Sequence, residues 1–164
     1  MRTIVTEFEK VIEELKKQNR LDKKALIEPN FYLSYEKLYK NILILATKVI
    51  EKTNKNEVVG IVTNRGVSTV VAMFACIYAN NPYVVIDVES PKQRVNKIIE
   101  VAKPKLILVD KHNQNQWDFF QDIASICVDI TYNDACYDKS LIKKRLEKMV
   151  STDPLYVLFT SGST

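Results

Sequence analysis

Residues 57–87 read EVVGIVTNRGVSTVVAMFACIYANNPYVVID, and this stretch decides the fold. It holds two short apolar runs, EVVGIVT and YVVID, separated by a longer apolar segment that ends at Asn80. An apolar run without alternation is typical of a strand buried on both faces, as in a parallel sheet. The segment between the runs, VSTVVAMFACIYA, has the length and composition of a helix covered on all sides. The stretch therefore predicts a strand–helix–strand unit.

The same pattern continues toward residue 164. Three further apolar runs predict strands at KLILVD (105–110), SICVDI (125–130) and LYVLF (155–159). Strands that alternate with helices in this way are typical of a mostly parallel sheet with helices on each face. We therefore predict an α/β fold of three layers.

Helices are predicted between these strands. Ser90 and Pro91 predict a helix start, with the serine as N-cap and the proline at the first helical position. Trp117 and the apolar residues after it predict a short helix over 117–123, and LIKKRLEKM predicts another over 141–149.

The first 56 residues predict elements beside the sheet. Thr6 and Glu9 have the T-x-x-E spacing of a capping box and predict the start of an amphipathic helix. KALIE and FYLSY predict two short strands, and Ser34 is the predicted N-cap of a second amphipathic helix. We expect a single α/β domain over residues 1–164, with the helix and short strands of residues 1–56 packed on its side.

The charge pattern argues against a nucleic-acid partner. The 24 basic and 20 acidic residues give a net charge of +4, and both signs share the same helical faces. A basic stripe interleaved with aromatic residues, the usual footprint of nucleic-acid binding, is absent from the sequence.

The cysteines and the apolar runs point to a reducing compartment. Cys76, Cys127 and Cys136 are widely spaced and form no CxxC or Cys/His pattern of a zinc site. The start of the sequence has no apolar run of the signal-peptide type, and no stretch has the length of a membrane span. We expect a cytoplasmic protein that does not bind membranes.

The stretch with the strongest indication of chemistry is TSGST, residues Thr160, Ser161, Gly162, Ser163 and Thr164. It follows a predicted strand, and ligands of doubly wound sheets bind beyond the carboxyl ends of strands. Its backbone N–H groups and hydroxyls suit a phosphate, and a glycine allows the chain to approach closely. The spacing is not that of a P-loop. A polar loop without a ligand remains the alternative.

Other polar residues have mainly structural interpretations. Asp87 is interpreted as part of a turn between a strand and a helix, and His112 as a solvated loop residue. Asp110 and Asn113, three residues apart, are a candidate metal pair, but acids in loops seldom bind metals. Arg65, at the end of a predicted strand, is a candidate for contributing to anion binding.

Three stretches, in order, resemble motifs of adenylate-forming enzymes. DPLYVLFTSGST (153–164) is similar to their phosphate loop, which continues as G-x-P-K-G. LSYEKL (33–38) resembles the first core motif of amino-acid adenylation domains, and YVVIDVESPKQRV (83–95) resembles the second. The form of these motifs favours the amino-acid-activating branch, which comprises nonribosomal peptide synthetase adenylation domains and D-alanine–carrier-protein ligases.

This resemblance implies an ATP-dependent ligase. In such an enzyme Thr160 to Thr164 hold the β- and γ-phosphates of ATP, with Mg²⁺, while a carboxylate of the amino-acid substrate attacks the α-phosphorus. The products are an acyl-adenylate and pyrophosphate, and the acyl group then passes to the phosphopantetheine thiol of a carrier protein. The resemblance assigns neither a catalytic residue nor a metal ligand to residues 1–164, since the family's later functional residues lie in the remaining C-terminal part of the enzyme.

Departures from the family motifs leave alternatives open. Asn80-Asn81-Pro82 replaces a step of small residues, and Val85 and Val88 replace two prolines. The sequence covers about the front third of a typical member, so we expect an incomplete N-terminal lobe that makes no adenylate by itself. The alternatives are a non-catalytic binding module that retains the fold, and a flavodoxin-like domain with an accidental TSGST.

Overall fold

The computed structural model describes residues 2–64, 66–87, 89–113, 120, 122–131 and 136–160. The helices in this part of the chain are α1 (Ile4–Lys17), α2 (Tyr35–Lys52), α3 (Val67–Tyr78), α4 (Lys92–Ala102) and α5 (Lys139–Leu146). The strands are β1 (Lys24–Glu28), β2 (Phe31–Ser34), β3 (Val59–Val62), β4 (Tyr83–Val85), β5 (Leu106–Val109) and β6 (Ala124–Cys127).

The main sheet has the strand order β4-β3-β5-β6, and each neighbouring pair is parallel. Strand β3 is central, because Val59 lies opposite Tyr83 on one side and opposite Leu106 on the other. Every residue of β3 is buried. Both α3 and α4 connect strands of this sheet, so the predicted mostly parallel sheet is confirmed.

Helices cover both faces of the sheet. On one face, Val59 and Ile61 belong to a core that includes α2, α3 and Ile142 of α5. On the other, Ile107 packs with Val95 of α4. Gly60 lies beside Ile107, whose Cδ1 atom occupies the space that a Cβ at this position would need. The predicted arrangement of three layers is therefore confirmed.

The hairpin of β1 and β2 leads directly into α2. The two strands are antiparallel, with Leu26 opposite Leu33. Strand β2 ends at Ser34, whose Oγ accepts a hydrogen bond from the backbone N–H of Lys37 at 3.3 Å. The predicted N-cap is therefore confirmed, and the LSYEKL motif forms a strand-to-helix junction.

The carboxylate of Glu9 connects helix α1 to α2 and α3 through hydrogen bonds. Glu9 accepts hydrogen bonds from the hydroxyl of Tyr39 at 2.8 Å and from that of Tyr78 at 2.7 Å. Tyr78 is 1% exposed. Burial raises the pKa of each tyrosine, and the hydrogen bond to Glu9 raises it further.

Two predicted helix caps are wrong by a few residues. Helix α1 begins at Ile4, because Thr3 already provides a cap: its Oγ1 accepts from the N–H of Thr6 at 3.1 Å. Oγ1 of Thr6 in turn accepts a hydrogen bond from the N–H of Thr3 at 2.8 Å, so the capping box is Thr3 with Thr6 instead of Thr6 with Glu9. The carboxylate of Glu9 instead accepts hydrogen bonds from the hydroxyls of Tyr39 and Tyr78.

Helix α4 also begins one residue later than predicted. Pro91 is the N-cap, with an extended ψ of 139°, and the first helical residue is Lys92. The N–H of Ser90 donates to the carbonyl of Asp87 at 3.1 Å, so Ser90 is held in the preceding turn and does not cap the helix. The predicted short helix over 117–123 lies largely outside the described residues.

Arg145 of α5 binds the C-terminal ends of two other helices. Its Nη2 donates to the carbonyls of Thr53 at 2.7 Å and Ile50 at 3.3 Å, at the end of α2. Its Nη1 donates to the carbonyl of Ala79 at 3.2 Å, just after α3. These carbonyls lack partners within their own helices, so one guanidinium satisfies groups that helix ends leave unpaired.

We expect Arg145→Ala to lower the free energy of unfolding by about 1.5–3 kcal/mol, the range for hydrogen bonds made by charged groups. Arg145→Lys retains the charge but cannot span the same carbonyls, so it recovers less than half of this loss. Urea titration followed by circular dichroism measures both variants. Lys144→Ala, an exposed neighbour, is the control and should stay within about 0.5 kcal/mol of wild type. Equal losses in the alanine variants at 144 and 145 would contradict this role.

The tyrosines around Glu9 predict an alkaline limit to stability. Their folded-state pKa values are raised, so stability is complete below the unfolded tyrosine pKa of about 10. Above it the unfolded state loses protons that the folded state keeps, and stability falls by up to about 1.4 kcal/mol per pH unit for each tyrosine. In urea titrations between pH 8 and 11, the free energy of unfolding of Tyr78→Phe should fall less steeply with pH than that of wild type. Tyr32→Phe, at an exposed position, should follow the wild-type slope.

Candidate functional site

The parallel strands bring several polar residues to one edge of the sheet. Because they run in the same direction, β3, β4, β5 and β6 end at a common edge, here called the carboxyl edge. Asn64 follows β3, Asp87 follows β4 and Asp110 follows β5. Ligands of doubly wound sheets bind outside this edge, so it is the candidate site.

The segment 155–159 runs parallel to β4 on the side away from β3. The carbonyl of Tyr83 accepts from the N–H of Val157 at 2.8 Å, and the N–H of Tyr83 donates to the carbonyl of Leu155 at 3.3 Å. The predicted last strand is thus a single parallel bridge, between Tyr83 and Tyr156. Thr160, exposed to solvent, follows this segment at the carboxyl edge. Of the predicted phosphate-binding residues, Ser161, Gly162, Ser163 and Thr164 lie outside the described residues.

A buried carboxylate joins the loops after β3 and β5. Asp110 is 5% exposed, and its Oδ2 accepts from the backbone N–H of Asn64 at 2.7 Å. Its Oδ1 accepts from the backbone N–H and the side-chain Nδ2 of Asn113, at 2.9 and 2.8 Å. Both carboxylate oxygens are therefore bound by amide donors. Asp110 and Asn113 therefore stabilise the loops after β3 and β5. We interpret them as structural residues and not as a metal-binding pair.

Two threonines extend this network into the first turn of α3. The hydroxyl of Thr69 donates to the carbonyl of Asn64 at 2.7 Å. It also lies 2.7 Å from the hydroxyl of Thr63, which must be the donor there because Thr69 has already used its proton. The sequence contains no signal for these pairings, since Asn64 and Asp110 are far apart in the chain.

The N-terminus of α3 is bound by a carboxylate from the β1–β2 hairpin. Oε1 of Glu28 accepts from the backbone N–H of Val67 at 2.6 Å. Gly66 permits this approach, since a Cβ there would collide with Oε1 of Glu28. A helix N-terminus attracts anions, and here a side chain of the protein already occupies that position. A phosphate site at the first strand-to-helix turn, as in a flavodoxin-like domain, is therefore disfavoured.

The remaining candidates have simpler roles. Asp87 is exposed, and its Oδ1 accepts from the N–H of Glu89 at 3.0 Å, which stabilises the turn before α4. His112 is exposed, in agreement with its interpretation as a solvated residue. Arg65 lies outside the described residues, so its part in anion binding stays a prediction.

Two classes of feature are absent from the described part of the chain. No group of three or more His, Cys, Asp or Glu side chains there has the geometry of a metal site. None of the helices described combines the length and the apolar composition of a membrane span.

The sequence matches a known family over most of its length. A family model described as AMP-binding enzyme matches residues 12–164. The chain is 26% identical over 144 residues to tyrocidine synthase 1 of Brevibacillus parabrevis, covering 87% of the chain. It is 28% identical over 148 residues to gramicidin S synthase 1 of Brevibacillus brevis, covering 85% of the chain. The chain spans 13% of the length of each of these proteins.

Solved structures share the fold. A four-domain nonribosomal peptide synthetase, holo-AB3403, bound to AMP and glycine, superposes with a TM-score of 0.74 at 23% identity, over 98% of the chain and 11% of that protein. The N-terminal subdomain of Klebsiella oxytoca NpsA superposes with a TM-score of 0.72 at 16% identity, over 99% of the chain and 39% of that protein. Together with the family match, these results show that the chain belongs to the AMP-binding enzyme family, the adenylate-forming ligases.

Proposed function

We propose that residues 153–164 form the phosphate-binding strand and loop of an ATP-dependent, amino-acid-activating ligase, of which this chain is the N-terminal part. The observation that carries the proposal is the parallel pairing of residues 155–159 with β4 through Tyr83. This pairing brings Thr160 to the carboxyl edge, where ligands of such sheets bind, and we infer that the residues after it bind phosphate there.

In this function the loop holds the phosphates and the sheet fixes the position of the loop. The backbone N–H groups and hydroxyls of residues 160–164 donate hydrogen bonds to the β- and γ-phosphate oxygens. A substrate carboxylate then attacks the α-phosphorus, and pyrophosphate leaves. Catalysis of this kind depends mainly on positioning and on stabilising charge.

The buried network around Asp110 at the carboxyl edge supports such positioning. Asp110 holds the loops after β3 and β5 through amide donors, so this part of the carboxyl edge needs no rearrangement when a ligand arrives. Mg²⁺ would be held by the phosphates of the nucleotide and not by Asp110, because both oxygens of Asp110 already accept hydrogen bonds from amide donors.

The family context suggests partners beyond the nucleotide. The relatives named above are peptide synthetases, which favours a nonribosomal peptide synthetase adenylation domain over a D-alanine–carrier-protein ligase. The proposed partners are an amino acid, a carrier protein with its phosphopantetheine thiol, and the remaining C-terminal part of the enzyme. We propose that residues 1–164 form a single domain within the larger lobe and that the enzyme acts in the cytoplasm.

We expect the complete protein that carries this chain to exchange pyrophosphate into ATP in the presence of one preferred amino acid. Ser161→Ala with Ser163→Ala should lower kcat/KM for ATP at least about 100-fold, since each of the two hydrogen bonds to charged groups is worth about 1.5–3 kcal/mol. The assay measures radioactive pyrophosphate incorporated into ATP across a panel of amino acids.

The matched control carries the same kind of change at the other end of the strand. Ser151→Ala with Thr152→Ala removes two exposed hydroxyls and should leave kcat/KM unchanged. Exchange with no amino acid in the panel, from a folded protein, would favour a non-catalytic module instead.

We expect the isolated 164-residue chain to bind Mg·ATP weakly. Fixing a backbone costs about 1–2 kcal/mol per residue, and the loop of residues 160–164 must be ordered without the groups that follow it in the family motif. Isothermal titration calorimetry of the chain with Mg·ATP measures this. Micromolar affinity would contradict the expectation and show that the loop is already formed.

A further inference from the structure

Asp153 lies at the amino edge of the sheet, opposite the edge at which Thr160 lies, and four donors surround it. Its Oδ2 accepts from the backbone N–H of Val150 at 2.9 Å and from Nδ2 of Asn80 at 3.1 Å. Its Oδ1 accepts from Nδ2 of Asn56 at 3.0 Å. Nζ of Lys55 lies 2.9 Å from Oδ2. We call these residues the amino-edge cluster.

Three of these donors, from Lys55, Asn56 and Asn80, come from the loops that lead into β3 and β4. Asn56 precedes β3 and Asn80 precedes β4, and the N–H of Asn56 donates to the carbonyl of Asn80 at 3.0 Å. Both asparagines have left-handed backbones, with φ of 64° and 52°. Asparagine adopts this conformation more readily than most residues, so each position combines a required backbone shape with a side-chain donor.

The charge of Asp153 is well compensated. Its side chain is 8% exposed and that of Lys55 is 27% exposed, and Lys55 also donates to the carbonyl of Lys148 at 2.6 Å. Burial by itself would raise the pKa of Asp153. The hydrogen bonds from Val150, Asn56, Lys55 and Asn80 outweigh burial and hold this pKa well below its usual range. Asp153 therefore stays ionised at neutral pH.

We propose that Asp153 is a positioning residue for the phosphate loop, because it fixes the start of the segment 155–159 against the loops that lead into β3 and β4. A strand rises about 3.3 Å per residue, so these five residues span about 16 Å between the amino-edge cluster and Thr160. Since the segment has a single parallel bridge to β4, its position along the sheet depends on where it begins. The link to nucleotide binding rests on the proposed function.

Hydrogen exchange on the isolated chain tests the positioning directly. In Asp153→Ala, the amide of Val157, which donates to Tyr83, should exchange about 10- to 100-fold faster than in wild type. The amide of Leu108 in the buried strand β5 should keep its rate. Nuclear magnetic resonance measures both amides in one sample.

Further variants separate the contacts. Asn80→Gly keeps a left-handed backbone accessible and removes one donor to Asp153. It should therefore increase the exchange rate of the Val157 amide less than Asp153→Ala does. Asp153→Asn retains the shape and serves if the alanine variant fails to fold. Asp129→Ala is the matched control, because Asp129 also accepts a hydrogen bond from a backbone N–H, that of Thr131, and also lies near a lysine, Lys111. This variant should leave the exchange rate of the Val157 amide unchanged.

An unchanged rate at Val157 in both Asp153 variants would overturn the proposal. So would equal acceleration of Val157 and Leu108, because Asp153 would then stabilise the whole fold and not this segment. This experiment needs no nucleotide, so its outcome is independent of whether the complete protein activates an amino acid.

The complete protein provides the second readout. If it catalyses exchange, Asp153→Asn should raise KM for ATP at least fivefold while KM for the amino acid stays unchanged, since the variant displaces the phosphate loop. An unchanged KM for ATP would overturn the link between Asp153 and nucleotide binding, whatever the exchange rates of the amides.

Discussion

The parallel pairing of β3 with β4 and β5 is the constraint on which the rest of the structure depends. The three strands run in the same direction, and they start at the same height in the sheet because Val59 lies opposite both Tyr83 and Leu106. Their ends therefore meet at a single edge, and the segment 155–159 adds a further parallel run beside β4. Thr160, which follows that run, therefore lies at this edge, outside which ligands of doubly wound sheets bind.

The two edges of the sheet are stabilised by different polar contacts. At the carboxyl edge, amide donors surround Asp110 and join the loops after β3 and β5. At the amino edge, Arg145 binds the ends of α2 and α3, and Asp153 binds the loops before β3 and β4. No buried side-chain N or O atom in the described residues lacks a hydrogen-bond partner. Buried polar groups that are fully satisfied favour one arrangement of the loops over others.

The sequence predicted the layers of the fold better than its caps and contacts. Buried parallel strands read as unbroken apolar runs, which made β3 and β5 recognisable without any partner. The position of a helix cap was harder to predict, because Thr3 and Thr6 are the same type of residue and both are suitable N-caps for α1. The contacts of the folded chain determine that Thr3 is the cap. The motif around Thr160 identified the family. The pairing of Asp153 with Asn56 carries no local signal, because the two residues are 97 positions apart.

The departures from the family motifs fit the fold at the positions where they occur. Asn80 takes a left-handed backbone and gives Asp153 a donor, which small residues cannot supply. The side chain of Asn81 donates to the carbonyls of Asn54 and Glu57, each at 2.7 Å.

Val85, where the family has a proline, follows the alternation of β4. The N–H of Tyr83 points away from β3 toward Leu155, and that of Ile86 points toward Ile61 of β3. Since successive N–H groups of a strand alternate in direction, the N–H of Val85 points away from β3, like that of Tyr83. A proline at this position therefore removes no hydrogen bond between β4 and β3, and valine and proline are both compatible with the parallel sheet.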